Sequence, residues 1–305
     1  GKELQQLICQ RVGDKPGTYL ALMHAGSLLQ RDVALHDQGL TMSAVVTCAH
    51  VRTNLYKAWQ ALVECTSLAS PDDLDGLTDI RYECMRPGQD LTCIPLPDSL
   101  RSLTLGGIFD QSLAEVTLPS GLQMLTFGDA FDQSLRDVTL PSRLQALTFG
   151  RRFCQSLDGV SLPSGLQMLT FGSGFDRSLD RVKLPDCLQT LAFGDGFDQK
   201  LDGVTLPPGL QTLTFGSGFN QSLDGVTLPR GLQTLTLGIF FNQTLDGVAL
   251  PMGLRTLTFG SEFNQSLRGV TLPSGLQVLT FGTQFNQSFD EVTLPLALQT
   301  LVLGK

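Results

Sequence analysis

Several residue types on which catalytic and metal sites depend are scarce in this chain of 305 residues. Its three histidines are at positions 24, 36 and 50, so the last two-thirds of the chain contain none. A serine or cysteine nucleophile there has no histidine base beside it, and we expect no catalytic residues and no cofactor. Charged residues make up only 16% of the chain, and the net charge is −8. Such a chain lacks the basic surface typical of nucleic-acid binding.

The seven cysteines form no Cys-x-x-Cys pair. Their number is odd, and their spacing matches neither a zinc site nor a disulfide framework. Unpaired thiols are typical of reducing compartments, and the sequence shows no secretory-type segment of basic and then apolar residues. We therefore expect reduced thiols in a cytoplasmic protein. No apolar run reaches the ~18–20 residues of a membrane-spanning helix, so no membrane span is expected.

A 22-residue repeat organises the chain from residue 94 to residue 305. Proline recurs every 22 residues from Pro97 to Pro295, and glycine from Gly106 to Gly304, without insertion or deletion. One unit, residues 210–231, reads LQTLTFGSGFNQSLDGVTLPRG. A single unit cannot bury its seven large apolar side chains alone, so the units must stack. The repeat predicts a solenoid of 22-residue coils.

Two strands are predicted in each coil. In the first, Leu213 and Phe215 alternate with Thr214, which is the period of a strand with one buried face. Residues 226–228 predict a second, shorter strand, which Pro229 ends because proline has no N–H to donate to a ladder. The expected fold is a mainly β solenoid with parallel sheets, comprising about ten strands and nine full repeats.

The unit resembles a leucine-rich repeat, and more closely an FNIP repeat, through its Leu-Pro, Thr-Phe-Gly and Phe-Asn-Gln elements. The last element occurs at residues 219–221, 241–243, 263–265 and 285–287. Earlier coils carry aspartate in place of this asparagine, and one carries Cys154. The resemblance implies a curved interaction scaffold with no catalytic activity of its own.

The N-terminal segment lacks the repeat. Residues 19–26 and 28–40 are similar to the latter part of a ubiquitin-like domain, an α+β fold of the β-grasp type. The first hairpin of that family is not found here, so we expect an incomplete domain over residues 1–51 and a chain that is part of a longer product. Residues 52–93 are predicted to form a helical cap and a linker. Leu55, Trp59, Leu62 and Val63 share one helical face and are expected to pack on the first coil.

The outward positions of the long strand are the candidate surface for an unidentified protein partner. They form a regular and almost uncharged face of threonine and glutamine, and repeat solenoids use such extended faces for binding. Met124, Met168 and Arg255 interrupt the regularity and are the expected recognition residues. The other candidates are Gln211, Thr212, Thr214, Gln233, Thr234, Thr236, Thr256, Thr258, Gln277 and Thr280.

Two other functions remain open at this point. A Thr-x-Thr array resembles the ice-binding face of some β-solenoids, although Met124, Ala146, Met168 and Ala192 interrupt it here. The ubiquitin-like resemblance would instead fit a substrate-recognition subunit in a ubiquitin-type pathway.

Two polar columns are interpreted as structural. Buried asparagine amides are predicted to form a ladder that bonds the turns of neighbouring coils. The ladder residues are Asn220, Asn242, Asn264 and Asn286. Asp158, Asp180, Asp202, Asp224 and Asp246 also stack, and like charges at that spacing could attract a cation. Calcium requires ~6–8 oxygen ligands, which Asp-Gly turns do not supply, so we expect no metal site.

Overall fold

The computed structural model describes residues 78–82 and 96–304. The predicted ubiquitin-like segment, residues 1–51, and the predicted helix with Trp59 lie outside the described residues. Within the described ranges the regular secondary structure consists of eleven short β-strands. In the same ranges, no helix has the length and apolar character needed to cross a membrane.

The strands recur at the same position of successive coils. They are β1 (Asp79–Tyr82), β2 (Ser102–Leu105), β3 (Met124–Phe127), β4 (Ala146–Thr148), β5 (Met168–Thr170), β6 (Thr190–Ala192), β7 (Thr212–Thr214), β8 (Thr234–Thr236), β9 (Thr256–Thr258), β10 (Val278–Thr280) and β11 (Thr300–Val302).

All eleven strands form one parallel sheet in chain order. Between β7 and β8, for example, Leu213 pairs with Leu235 and Thr214 pairs with Thr236. From β2 onward each pairing step equals the 22-residue repeat, so residues at the same repeat position form straight columns. Parallel strands need a crossover connection, and the rest of each coil provides it. The predicted solenoid is confirmed.

The interior contains leucine, valine and phenylalanine columns. Phe219 is 0% exposed, and its ring centroid lies 3.9 Å from that of Phe215 in the same coil and 6.0 Å from that of Phe241 in the next. Neighbouring rings of the column are nearly parallel, at 4° for Phe219 and Phe241. No polar or charged side chain is buried among the described residues. Apolar packing, together with the backbone ladder, therefore holds the coils together.

The second strand predicted in each coil is not formed. Val226 and Leu228 are buried and Thr227 is exposed, as the alternation predicts, but the sheet of the described ranges contains only the first strand. The N–H of Val226 donates to the carbonyl of Leu223 at 3.1 Å. Pro229 has no N–H at all. Residues 226 and 229 thus have no free N–H for a second ladder, and within the described ranges the coils share one parallel sheet rather than several.

Strand β1 lies in the segment that the sequence predicted to be cap and linker. Ile80 is 3% exposed and pairs with Leu103. The step between them is 23 residues, so the fixed 22-residue period does not include this strand. The sequence does contain a signal for this strand, because Leu77, Ile80 and Tyr82 have the same spacing as Leu100, Leu103 and Leu105. The sheet therefore has one strand more than the ten of the repeats.

Candidate interaction surface

The outward face of the sheet carries the side chains that the sequence singled out. In β7, Leu213 points into the core, whereas Thr212 and Thr214 are half-buried on the other face. Gln211, one residue before the strand, is exposed. The same arrangement recurs in β8 and β9, and the register aligns these residues across the sheet. We call this surface the strand face.

The strand face has two columns: the second is almost entirely threonine, whereas the first is threonine in five of the ten strands from β2 to β11. Ala146 and Val278 interrupt the first column and Ala192 the second, and Met124 and Met168 occupy the first column at 47% and 43% exposure. The second column is threonine from Thr104 to Thr170 and from Thr214 to Thr280.

Arg255 borders the same face in the glutamine column. Its N–H donates to the carbonyl of Gln233 and its carbonyl accepts from Gln277, both at 2.8 Å. The backbone thus fixes its position, and the side chain is exposed. The structure brings all the predicted surface residues onto one side of the sheet.

The asparagine column forms hydrogen bonds between successive coils. The N–H of Asn242 donates to Oδ1 of Asn220 at 2.9 Å, and Nε2 of Gln243 donates to the same oxygen at 3.1 Å. Both bonds recur from Asn264 and Asn286 with their following glutamines. The prediction that these amides are buried is wrong, because they are partly exposed and Asn286 is exposed. The turns they join are near the surface, and each amide oxygen needs only to reach the next coil.

Aspartate takes the same role in earlier coils. Oδ1 of Asp132 accepts the N–H of Cys154 at 2.9 Å and Nε2 of Gln155 at 3.0 Å. Only an oxygen acceptor is used, and both asparagine and aspartate supply one. Burial raises the pKa of Asp132, but hydrogen bonds from Cys154 and Gln155, together with the charge of Arg177, more than offset this and leave its pKa below the ordinary value.

Cys154 interrupts the column. Its thiol donates to Oδ2 of Asp132 at 3.5 Å, but it has no side-chain oxygen to accept the N–H of the next coil. In that coil Arg177 replaces the glutamine, and its Nε donates to the backbone carbonyl of Cys154 at 2.7 Å. An arginine contact to the backbone thus replaces the glutamine bond, whereas the N–H of Asp176 gains no side-chain acceptor from this column.

Replacing Cys154 by asparagine should raise the free energy of unfolding by about 0.5–1.5 kcal/mol. The asparagine Oδ1 would supply the acceptor that the backbone N–H of Asp176 lacks. Urea denaturation measures the change. Cys154→Ala is the matched control, because it removes the thiol without adding an acceptor. Stability of Cys154→Asn no higher than that of Cys154→Ala would contradict an energetic role for the ladder.

The Asp-Gly column forms turns. Gly225 has φ of 78°, in the left-handed region that glycine adopts without strain. The N–H of Asp224 donates to Oγ of Ser222 at 3.0 Å. Across residues 78–82 and 96–304, no three histidine, cysteine, aspartate or glutamate side chains are grouped as a metal site would require.

We expect millimolar calcium to leave the melting temperature unchanged, because each turn offers far fewer than the ~6–8 oxygen ligands that calcium takes. Thermal unfolding followed by circular dichroism, with and without calcium, checks this. A rise of several degrees that disappears when Asp202 and Asp224 are both changed to asparagine would contradict it.

The FNIP repeat profile matches this chain over most of its length. The matched segments are residues 89–130, 109–152, 131–174, 153–196, 175–218, 197–240, 241–284 and 263–305. The chain belongs to the FNIP repeat family. Its predicted FNIP resemblance is therefore confirmed, whereas the ubiquitin-like resemblance falls on residues outside the described ranges.

Solved structures place these FNIP repeats among leucine-rich-repeat folds. CroV588, described as a novel circular leucine-rich-repeat protein, is 33% identical with a TM-score of 0.59, over 80% of this chain and 41% of that one. This chain thus spans less than half of CroV588. YopM from Yersinia enterocolitica is 22% identical with a TM-score of 0.45, over 74% of this chain and 50% of that one. No curated protein matches the chain significantly.

Proposed function

We propose that this FNIP-repeat solenoid is a non-catalytic scaffold whose strand face binds a partner protein. The observation that carries the proposal is the exposed outer face of an eleven-stranded parallel sheet. From β1 to β10 its inner face is packed, so the two faces differ sharply in what they can contact. The described ranges also contain no histidine and no buried polar side chain that would suggest a reaction centre.

Recognition is expected to rest on the side chains that protrude from the threonine columns. Methionine adapts its shape to an apolar contact, and arginine offers five N–H donors in a fixed fork. Met124 lies in β3 and Arg255 directly precedes β9, so the two are six strand steps apart, or ~29 Å at ~4.8 Å per step. A protein contact of standard size, burying roughly 800 Å² on each partner, covers such a distance.

Affinity capture from source extract, with quantitative mass spectrometry, tests the proposal. A partner retained by the parent chain should fall at least tenfold with Met168→Ser and with Arg255→Ala, since a few positions dominate most interfaces. Arg181→Ala is the matched control, because Arg181 is exposed in a turn away from the strand face. Equal loss with Arg181→Ala, or no loss with either strand-face variant, would argue against the strand face as the binding site.

Thermal hysteresis of the purified chain distinguishes this function from ice binding. We expect no thermal hysteresis from the parent chain, because exposed methionines break the flat threonine array. The comparison variant replaces Thr212, Thr234 and Thr256 together by tyrosine. Hysteresis in the parent that vanishes in this variant would replace the scaffold proposal with an ice-binding one. The ubiquitin-pathway alternative depends on residues 1–51, outside the described ranges.

A further inference from the structure

A row of turn residues follows the strands and borders the strand face on the side opposite Arg255. In each coil the row consists of the two residues after the glycine that ends the strand segment. We call it the turn row and define it as Arg151–Arg152, Ser173–Gly174, Asp195–Gly196, Ser217–Gly218 and Ile239–Phe240. These pairs belong to five consecutive coils.

In the three middle coils of the turn row the second residue of each pair is glycine, and this glycine column forms a floor beside the side chains of Ser173, Asp195 and Ser217. A Cβ atom built at Gly174, Gly196 or Gly218 would collide with a backbone carbonyl oxygen of the preceding coil. Because these oxygens belong to the backbone, they cannot move aside as a flexible side chain would. The three glycines form a column three coils long without side chains, in which Gly174 and Gly196 are exposed and Gly218 is partly exposed.

An apolar wall stands at one end of this floor. Ile239 is 45% exposed and Phe240 is 54% exposed. The N–H of Phe240 donates to the carbonyl of Ser217, and the carbonyl of Ile239 accepts from the N–H of Glu262, both at 2.9 Å. The backbone is thus fixed from both sides while the two side chains remain in solvent. A rigid aromatic side chain loses little conformational entropy when a partner covers it.

The other end of the floor is positively charged. Arg152 is exposed and has no ion-pair or hydrogen-bonded side-chain partner among the described residues. Its neighbour Arg151 lies 3.6 Å from a carboxylate oxygen of Asp129. In between, Asp195 accepts the N–H of Ser217 at 2.9 Å and its hydroxyl at 2.8 Å. A second acidic group would be repelled near Asp195, so the complementary carboxylate belongs at Arg152.

We propose that the turn row binds an extended peptide segment of a partner protein, with a carboxylate at Arg152 and a large apolar side chain against Phe240. Four coil steps separate these residues, or ~19 Å at the ~4.8 Å spacing of neighbouring strands. An extended chain advances ~3.3–3.6 Å per residue, so about five or six residues separate the two anchors. Small uncharged residues fit between them, over the glycine floor. The inference rests on the proposed function in taking a protein as the partner, but it uses a separate surface.

Selection from a phage-displayed library of random 12-residue peptides on the full chain tests this. Enriched peptides should carry aspartate or glutamate five or six residues from an aromatic or large aliphatic residue. The affinity of the synthesised peptides should fall at least tenfold with Phe240→Ser and with Arg152→Gln. It should be unchanged with Gln284→Ala, a variant two coils further along the same turn column. All three residues are exposed, so melting temperatures should match the parent.

Two results would overturn the inference. One is a selection without enriched sequences, or with peptides that bind Phe240→Ser as tightly as the parent. The other is binding of the parent, but not of Phe240→Ser, to vesicles of phosphatidylcholine and phosphatidylserine, which would make the apolar wall a membrane contact. If Arg255→Ala still abolishes capture of a partner in either case, the strand-face proposal stands and only the turn-row inference fails.

Discussion

Replacing Phe219 by alanine is expected to lower the free energy of unfolding by about 3–5 kcal/mol. The ring is fully buried, and its centroid lies 3.9 Å from Phe215, 6.1 Å from Phe197 and 6.0 Å from Phe241. Truncation therefore removes contacts to its own coil and to both neighbouring coils. Each coil is ordered largely by its neighbours, so the structure around the cavity has little freedom to collapse into it.

Urea denaturation of Phe219→Ala and two comparison variants measures this effect. Thr214→Ala changes a half-buried position on the strand face and should have a small effect. Phe285→Ala removes a ring of the same column where the ring is only partly buried, and should cost less than Phe219→Ala. A shift for Phe219→Ala no larger than that for Thr214→Ala would contradict a core built on stacked columns.

The sequence predicts the columns because their physical cause is local and periodic. A strict 22-residue period places identical residues over one another, and Leu213 with Phe215 identifies the buried side of the strand. The same alternation at Val226 and Leu228 predicts a strand that does not form. Side-chain burial needs only alternate positions, whereas a ladder also needs free backbone donors. The N–H of Val226 already donates to the carbonyl of Leu223 at 3.1 Å.

The surface residues could be placed on one face from sequence, and the repeat register places Phe240 outside the phenylalanine column, but the close approach of the coils along the turn row could not be predicted. Its pattern depends on how closely the backbone of Gly196 approaches the carbonyl of Ser173, and on the exposure of Phe240. In sequence, Phe240 directly precedes the core residue Phe241, and nothing in the pair distinguishes the exposed ring from the buried one except the repeat register. Arg152 and Phe240 are 88 residues apart in sequence, and only the stacking of the coils between them places both along one edge of the sheet.

Replacing Gly216 by alanine is expected to cost about 3 kcal/mol or more. This glycine stands at the end of the strand segment, in the column that runs from Gly106 to Gly304. A Cβ atom there would collide with the peptide group of Gly194 in the preceding coil. Overpacking against side chains typically costs ~1–3 kcal/mol. Here the colliding atoms are backbone held by the sheet, so relief requires the coils to separate.

Gly225→Ala is the matched control, because glycine at that position is favoured by its backbone conformation and not by lack of space. Gly225 has φ of 78° and open space where a Cβ would stand, so alanine there should cost only the ~1–2 kcal/mol of a left-handed conformation. Urea denaturation of both variants separates a steric requirement from a conformational one. Equal costs at the two sites would show that the spacing of the coils adapts to a methyl group. A much larger cost at Gly216 means that the glycine column sets how closely successive coils approach, and hence the spacing at which the strand face and the turn row present their side chains.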